Sequence, residues 1–467
     1  VIAIAVVAAL CLTSCSAVKG SGKPGSISTG GNVAASDFPI VGDAGTDFDQ
    51  LVRNSLTDIE QFWTDAYPQV SGGAAFKPLT GGVYSVETNK PNPAEECMKR
   101  SPKAANNNAF YCSLDDAFAY DRVGLVKVIA DSLGPNFVPL VFAHETGHLI
   151  QDRLKIDRAS ISIETQADCA SGAFMAAESG AMTSTIRLKD RHFSIDPTNL
   201  DKIAIGMILL RDSSPQSASA DGAHGDGFDR LSAFSDGFNN GVKYCFSGDW
   251  ANRKFTERPY TSADDYNQGG NQSLAETLDP STNLIQDLNR FWASAFKSIN
   301  KTFKPVSVKQ TDSPPCAGDD PTKFTYCASD NTVYYTLAAA TAAYNSVPSI
   351  AINSSNKVVI KENGPGDFAL GSMFAYTWGM AVRAQSGLSI DGQDALLSAS
   401  CYVGAYAADI NVTASDRFVL SPPDMDEATV TALRTVGEPD YLGMRNTTGF
   451  QRIGAFNKGY FGTIAAC

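Results

Sequence analysis

Apolar residues return to one face at helical spacing between Phe48 and Tyr67, through Leu51, Ile59, Phe62, Trp63 and Tyr67, which predicts an amphipathic helix. Asp115 to Tyr120 and Asp330 to Tyr335 read as short strands with turn residues before them. Phe137 to Leu154 follows Gly134-Pro135-Asn136, a helix start, and is apolar and long enough to be a buried helix. The expected class is mainly α with a few short β-strands (α+β). Beyond residue 14 no run approaches the roughly 20 apolar residues of a spanning helix, which excludes a polytopic membrane protein.

Residues 1–14 are uncharged and mostly apolar, like the core of a signal peptide. They end in Leu12-Thr13-Ser14-Cys15, which looks like a bacterial lipobox, so lipidation of Cys15 and a lipid anchor on the outer face of the membrane are expected. A plain secretory signal with a chance cysteine is the alternative. Residues 15–44 then read as a flexible tether, Gly/Ser/Thr-rich as far as about Ala35. Composition adds little: the 467 residues are 43% hydrophobic and 19% charged, as in a globular chain of two or three domains. A formal charge of −13 argues against a nucleic-acid partner.

The chain repeats itself. Asp58-Ile59-Glu60-Gln61-Phe62-Trp63 is echoed by Asp287-Leu288-Asn289-Arg290-Phe291-Trp292, and Phe76-Lys77-Pro78-Leu79 by Phe303-Lys304-Pro305-Val306. Tyr111-Cys112, Asp115 and Tyr120 correspond to Tyr326-Cys327, Asp330 and Tyr335. Phe228-Asp229-Arg230-Leu231 matches Phe450-Gln451-Arg452-Ile453. Two homologous domains are therefore expected, residues 45–250 and 283–467, joined by a polar linker over 251–282. Each carries four cysteines in equivalent places. The economical pairing is local and duplicated: Cys97–Cys112, Cys169–Cys245, Cys316–Cys327 and Cys401–Cys467. A cysteine-rich metal site is the rival, but no C-x-x-C spacing is present.

The first half holds the candidate chemistry. In His144-Glu145-Thr146-Gly147-His148 the two histidines are i and i+4 on one helix face, where both imidazoles can grip one metal ion with Glu145 beside it. Zinc accepts nitrogen and carboxylate ligands, and a catalytic site needs a third. Glu164, in Glu164-Thr165-Gln166-Ala167-Asp168-Cys169, is placed to supply it, and Asp168 to hold the outer nitrogen of a ligand histidine. Alone, these residues would read as polar positions on a helix; together their spacing is the gluzincin arrangement.

Phe110-Tyr111-Cys112, His144-Glu145-x-Gly147-His148-x-x-Gln151, Glu164-x-Gln166-Ala167-Asp168-Cys169-x-x-Gly172 and His224-Gly225 with Arg230 together resemble the bacterial neutral zinc metallopeptidase family. The resemblance implies one Zn²⁺, a largely helical catalytic domain and hydrolysis of peptide bonds in a protein or peptide substrate. The segment Asp226-Gly227-Phe228-Asp229 departs from the family pattern. In the second half a constant offset of 232 keeps the framework (Phe142 to Phe374, Gly147 to Gly379, Cys169 to Cys401). Under it His144, Glu145, His148, Glu164 and Asp168 become Tyr376, Thr377, Met380, Leu396 and Ser400, and His224 falls opposite Asn446. The second domain is thus expected to bind no zinc. In the expected mechanism Glu145 is the general base and His224 a candidate donor to the oxyanion, while His192 reads as a surface residue. A non-catalytic envelope scaffold and a zinc hydrolase of cell-wall peptides are the alternatives.

Overall fold

The computed structural model describes residues 30–467 except 89, 91–96, 98, 100–102, 210–224, 257–259, 261, 280–282, 317–323, 353–357, 412–416 and 434–445. Residues 1–14, Cys15 and His224 lie outside this set. The fold is mainly helical with a few short strands.

Helix α1 (Asp47–Val70) starts where the Thr46 hydroxyl accepts from the Asp49 N–H, an N-cap, and buries the stripe Val52, Leu56, Ile59, Phe62, Trp63 and Ala66. Next come β1 (Gly82–Val86), β2 (Ala109–Cys112) and β3 (Ala117–Asp121), in sheet order β1-β3-β2. β1 runs parallel to β3, and β2 antiparallel to it. The hairpin turns through Asp116 at φ 51°, a left-handed conformation that Asp tolerates better than most residues. Short α2 (Lys127–Leu133) leads to α3 (Val138–Leu154), α4 (Ser160–Ser179), α5 (Pro197–Leu209) and α6 (Gly227–Asn240). The expected helix over 137–154 is α3, entered through a 3₁₀ turn at Pro135–Phe137 and closed by Lys155 in the left-handed region.

The second half runs through α7 (Asn283–Ser298), β4 (Ser307–Gln310), β5 (Thr325–Cys327), β6 (Thr332–Tyr335), α8 (Leu337–Tyr344), a hairpin β7 (Val347–Ile352) and β8 (Val358–Gly364), then α9 (Asp367–Gln385), α10 (Gln393–Ile410), α11 (Asp424–Leu433) and α12 (Gly449–Gly462). Its first sheet has the order β4-β6-β5, again parallel then antiparallel, and its hairpin turns through Asn331 at φ 53°. The four disulfides are Cys97–Cys112, Cys169–Cys245, Cys316–Cys327 and Cys401–Cys467, the pairing expected from the repeat.

One close helix contact recurs in both halves. A Cβ on Gly147 of α3 would lie 2.7 Å from the Ala167 Cα of α4, and one on Gly379 of α9 would lie 2.9 Å from the Ala399 Cα of α10. Only glycine lets each pair of backbones approach this far. The halves also grip each other reciprocally. Asp426 of α11 accepts from the Phe228 N–H at the start of α6, while Asp201 of α5 accepts from the Gly449 and Phe450 N–H groups at the start of α12. Phe228 is buried in the apolar core of the second half, and Phe450 and Ile453 in that of the first.

Within the 251–282 linker, Thr256 donates to Asp226 and Asp229 and the Gln272 N–H donates to Asp367. Two expectations need correction. The tether does not extend to residue 44: the Val33 N–H donates to Asn54 Oδ1, Ile40 is buried and Val41 bridges Tyr84. His192 is not on the surface: its side chain is 7% exposed, with Nδ1 2.6 Å from Asp58 Oδ1. Asp58 sits in the apolar face of α1 and needs a buried polar partner. Its repeat counterpart Asp287 is met likewise by Arg417, at 2.7 and 2.9 Å. Among the described residues no helix is long and apolar enough to cross a membrane.

Candidate metal centre

The Gly147–Ala167 contact places α3 and α4 backbone to backbone, so their facing side chains converge. His144 and His148 come from α3, and Glu164 from the first turns of α4. The three inward atoms form a small triangle: His144 Nε2 to His148 Nε2 is 3.2 Å, His144 Nε2 to Glu164 Oε2 is 3.2 Å and His148 Nε2 to Glu164 Oε2 is 3.6 Å. Ligands at about 2.0–2.1 Å from a tetrahedral zinc would lie about 3.3–3.4 Å apart. The triangle has the size of one face of that tetrahedron.

The outer nitrogens fix the tautomers. His144 Nδ1 is 2.8 Å from Asp168 Oδ1, and a carboxylate only accepts, so Nδ1 carries the proton. Arg230 of α6 clamps that carboxylate, Nε to Oδ2 at 2.9 Å and a terminal nitrogen to Oδ1 at 3.0 Å. His148 Nδ1 is 2.9 Å from Gln151 Oε1. The Gln151 amide must present its oxygen there because its Nε2 donates to the Ile163 carbonyl at 2.7 Å. Both Nε2 atoms therefore face each other and the Glu164 carboxylate, a group of three ligand atoms that could hold a metal ion.

The Glu164 and Asp168 carboxylates bind the two imidazoles directly, Glu145 lies beside them, and the Arg230 guanidinium backs Asp168. All three acids and both histidines are buried or nearly so. Burial alone would lower the His144 pKa, but the Asp168 and Glu164 carboxylates push it up to about 10. Against burial, His148 and His144 hold Glu164 well below the usual carboxylate range. Burial raises Glu145, whose Oε2 accepts from the Tyr111 N–H of β2 at 3.3 Å.

Glu145, His144, His148, Glu164 and Asp168, separated by up to 24 positions, are thus brought together, while His224 falls outside the described residues. Arg230 and Gln151 act as positioning residues, and only the second was legible locally, three positions after His148. Arg230 reaches Asp168 across 62 residues, which no local pattern signals. In the second half Tyr376, Met380 and Leu396 take the ligand positions and join the apolar core. Thr377 and Ser400 turn their hydroxyls to their own helix carbonyls. No protein-family model, curated protein or solved structure is significantly similar to this chain.

Proposed function

We propose that this protein is a zinc-dependent endopeptidase of the neutral zinc metallopeptidase type, with one live site in its first half. The observation that carries the reading is the 3.2, 3.2 and 3.6 Å triangle of two imidazole nitrogens and a carboxylate oxygen, its outer nitrogens locked to Asp168 and Gln151. His144 and His148 would hold the ion through Nε2, and Glu164 through its carboxylate. A zinc ion there supplies Lewis-acid polarisation of a carbonyl and a water with its pKa lowered toward about 7. Glu145 takes up and returns protons at its carboxylate, whose pKa burial raises, the direction a general base needs. Asp168 and Arg230 hold His144 in the tautomer that leaves Nε2 bare.

The repeat geometry supports a tandem duplication in which the second copy lost its ligands and kept its frame. Matching sheets, disulfides and helix contacts recur, and each half caps a helix of the other as the two partners of an isologous dimer do. The lipobox-like Cys15 supports attachment to the outer face of a bacterial membrane.

The test is zinc per chain by elemental analysis, with turnover of an unfolded protein substrate. One zinc and activity are expected, and Glu145→Gln should keep the metal and lose at least 10²-fold in turnover. A chain that takes up no zinc after zinc is added, or a Glu145→Gln protein as active as the parent, overturns the reading.

A further inference from the structure

The second half discards the zinc ligands and gathers acids elsewhere. Asp367 opens α9, and Asp424 and Glu427 lie on the first turn of α11. One carboxylate oxygen from each lies within 4.8 Å of the others, and the residues are 3%, 1% and 1% exposed. Part of this set is hydrogen-bonded. Glu427 Oε2 accepts from the Phe368 and Ala369 N–H groups at 2.9 and 3.3 Å, and Asp367 Oδ2 accepts from the Gln272 N–H at 2.9 Å. Asp424 accepts from the Ser421 N–H at 2.7 Å and from the Ser421 hydroxyl. Two oxygens are left over: Asp367 Oδ1 and Glu427 Oε1 are sealed from solvent and accept no hydrogen bond among the described residues.

The first half closes the corresponding junction with two amides and one acid, Asp196, whose Oδ1 accepts from the Asn199 N–H and Nδ2, both at 2.8 Å. There Asn136, at the start of its helix, donates through Nδ2 to Asn199 Oδ1 at 2.8 Å and to the Ser194 carbonyl at 3.0 Å. Asn199 stands two residues before Asp201, as Asp424 stands two before Asp426. Gathering three buried carboxylates at one junction is costly unless a positive charge joins them.

We propose that Asp367, Asp424 and Glu427 form a second cation site, for a hard divalent ion such as calcium, that ties α9 to α11. The donors are all oxygen, which selects calcium, magnesium or manganese over zinc, and calcium bonds of about 2.4 Å allow opposite ligands about 4.8 Å apart. Two of the three residues thus carry an oxygen that still lacks a partner. The N-terminal N–H groups of α9 absorb part of the charge that one divalent ion leaves on three carboxylates. The site stands independently of the peptidase reading.

The experiment is calorimetric titration of the purified, zinc-loaded protein with calcium chloride, with elemental analysis of zinc alongside. One calcium per chain is expected, together with a melting temperature that climbs with calcium concentration and an unchanged zinc count. Asp367→Asn and Glu427→Gln should each abolish the calcium response. The double variant His144→Ala/His148→Ala should lose zinc and still take calcium, which separates this site from the first. Absence of calcium, magnesium or manganese binding to the parent protein at millimolar concentration overturns the proposal even if a variant fails to fold. Glu427→Gln melting higher than its parent at neutral pH, with no calcium response in either, would assign the cluster to shared protons.

Discussion

Gly147→Ala is the most informative single change, because the same mechanical insult can be delivered in the second half with no metal at stake. The new methyl would lie 2.7 Å from the Ala167 Cα and 2.8 Å from its Cβ, about 0.7–1.3 Å short of an ordinary carbon–carbon contact. Neither neighbour is a flexible tip, so α3 and α4 must separate or tilt. Metal–ligand distances tolerate only about ±0.2 Å. His144 and His148 ride on one of these helices and Glu164 on the other, so even a third of the displacement opens the triangle. Zinc affinity is expected to fall at least about 10-fold, the lower end for loss of ligand support. Overpacking should also cost about 1–3 kcal/mol of stability. Gly379→Ala meets Ala399 at 2.9 and 3.1 Å and should carry a similar stability cost with zinc affinity intact. Competition with a chromophoric chelator gives the affinities, and chemical denaturation of the chelated proteins gives the stabilities. Gly147→Ala binding zinc like its parent, while destabilised as much as Gly379→Ala, would refute the claim that helix spacing sets the site.

The buried polar groups give two further expected outcomes. Asp168→Asn removes the charge that orients His144 and leaves Arg230 buried beside a neutral amide; zinc affinity should drop about 10- to 100-fold, and an unchanged value by chelator competition would strip Asp168 of its positioning role. Glu178 is pushed up to about 9 by burial and the Asp58 carboxylate, so the folded state keeps a proton that the unfolded state releases above pH 4.5. Stability contributed at low pH is then lost as pH rises toward about 9, and Glu178→Gln, which cannot ionise, should be about 1–3 kcal/mol more stable than its parent at pH 7 with no difference at pH 4. Parallel stability-against-pH curves for the two proteins would show that Glu178 is ionised in the fold.

Much of this molecule is written in local pattern. The i, i+4 spacing of His144 and His148 follows from helical period alone, and the stripe on α1 from the same arithmetic. The disulfide pairing was legible because the chain carries each cysteine twice, so the repeat reduced many connectivities to one. The exchange of ligand residues for Tyr376, Met380 and Leu396 in the second half could be read from the repeat as well.

The remainder depended on contacts between residues far apart in the chain. Arg230 on Asp168, the Tyr111 N–H on Glu145 and the crossed caps of Asp201 and Asp426 join residues 34 to 249 positions apart. His192, in Arg191-His192-Phe193, read as a surface histidine, yet the buried Asp58 of α1 claims it. Asp367, Asp424 and Glu427 read separately as helix-start acids; they become one cluster only when α9 and α11 pack. Periodicity reports which face of a segment is apolar, and so which elements form. Which buried polar group finds which partner is decided by packing, because the cost of leaving it unpaired arises only once water has been excluded.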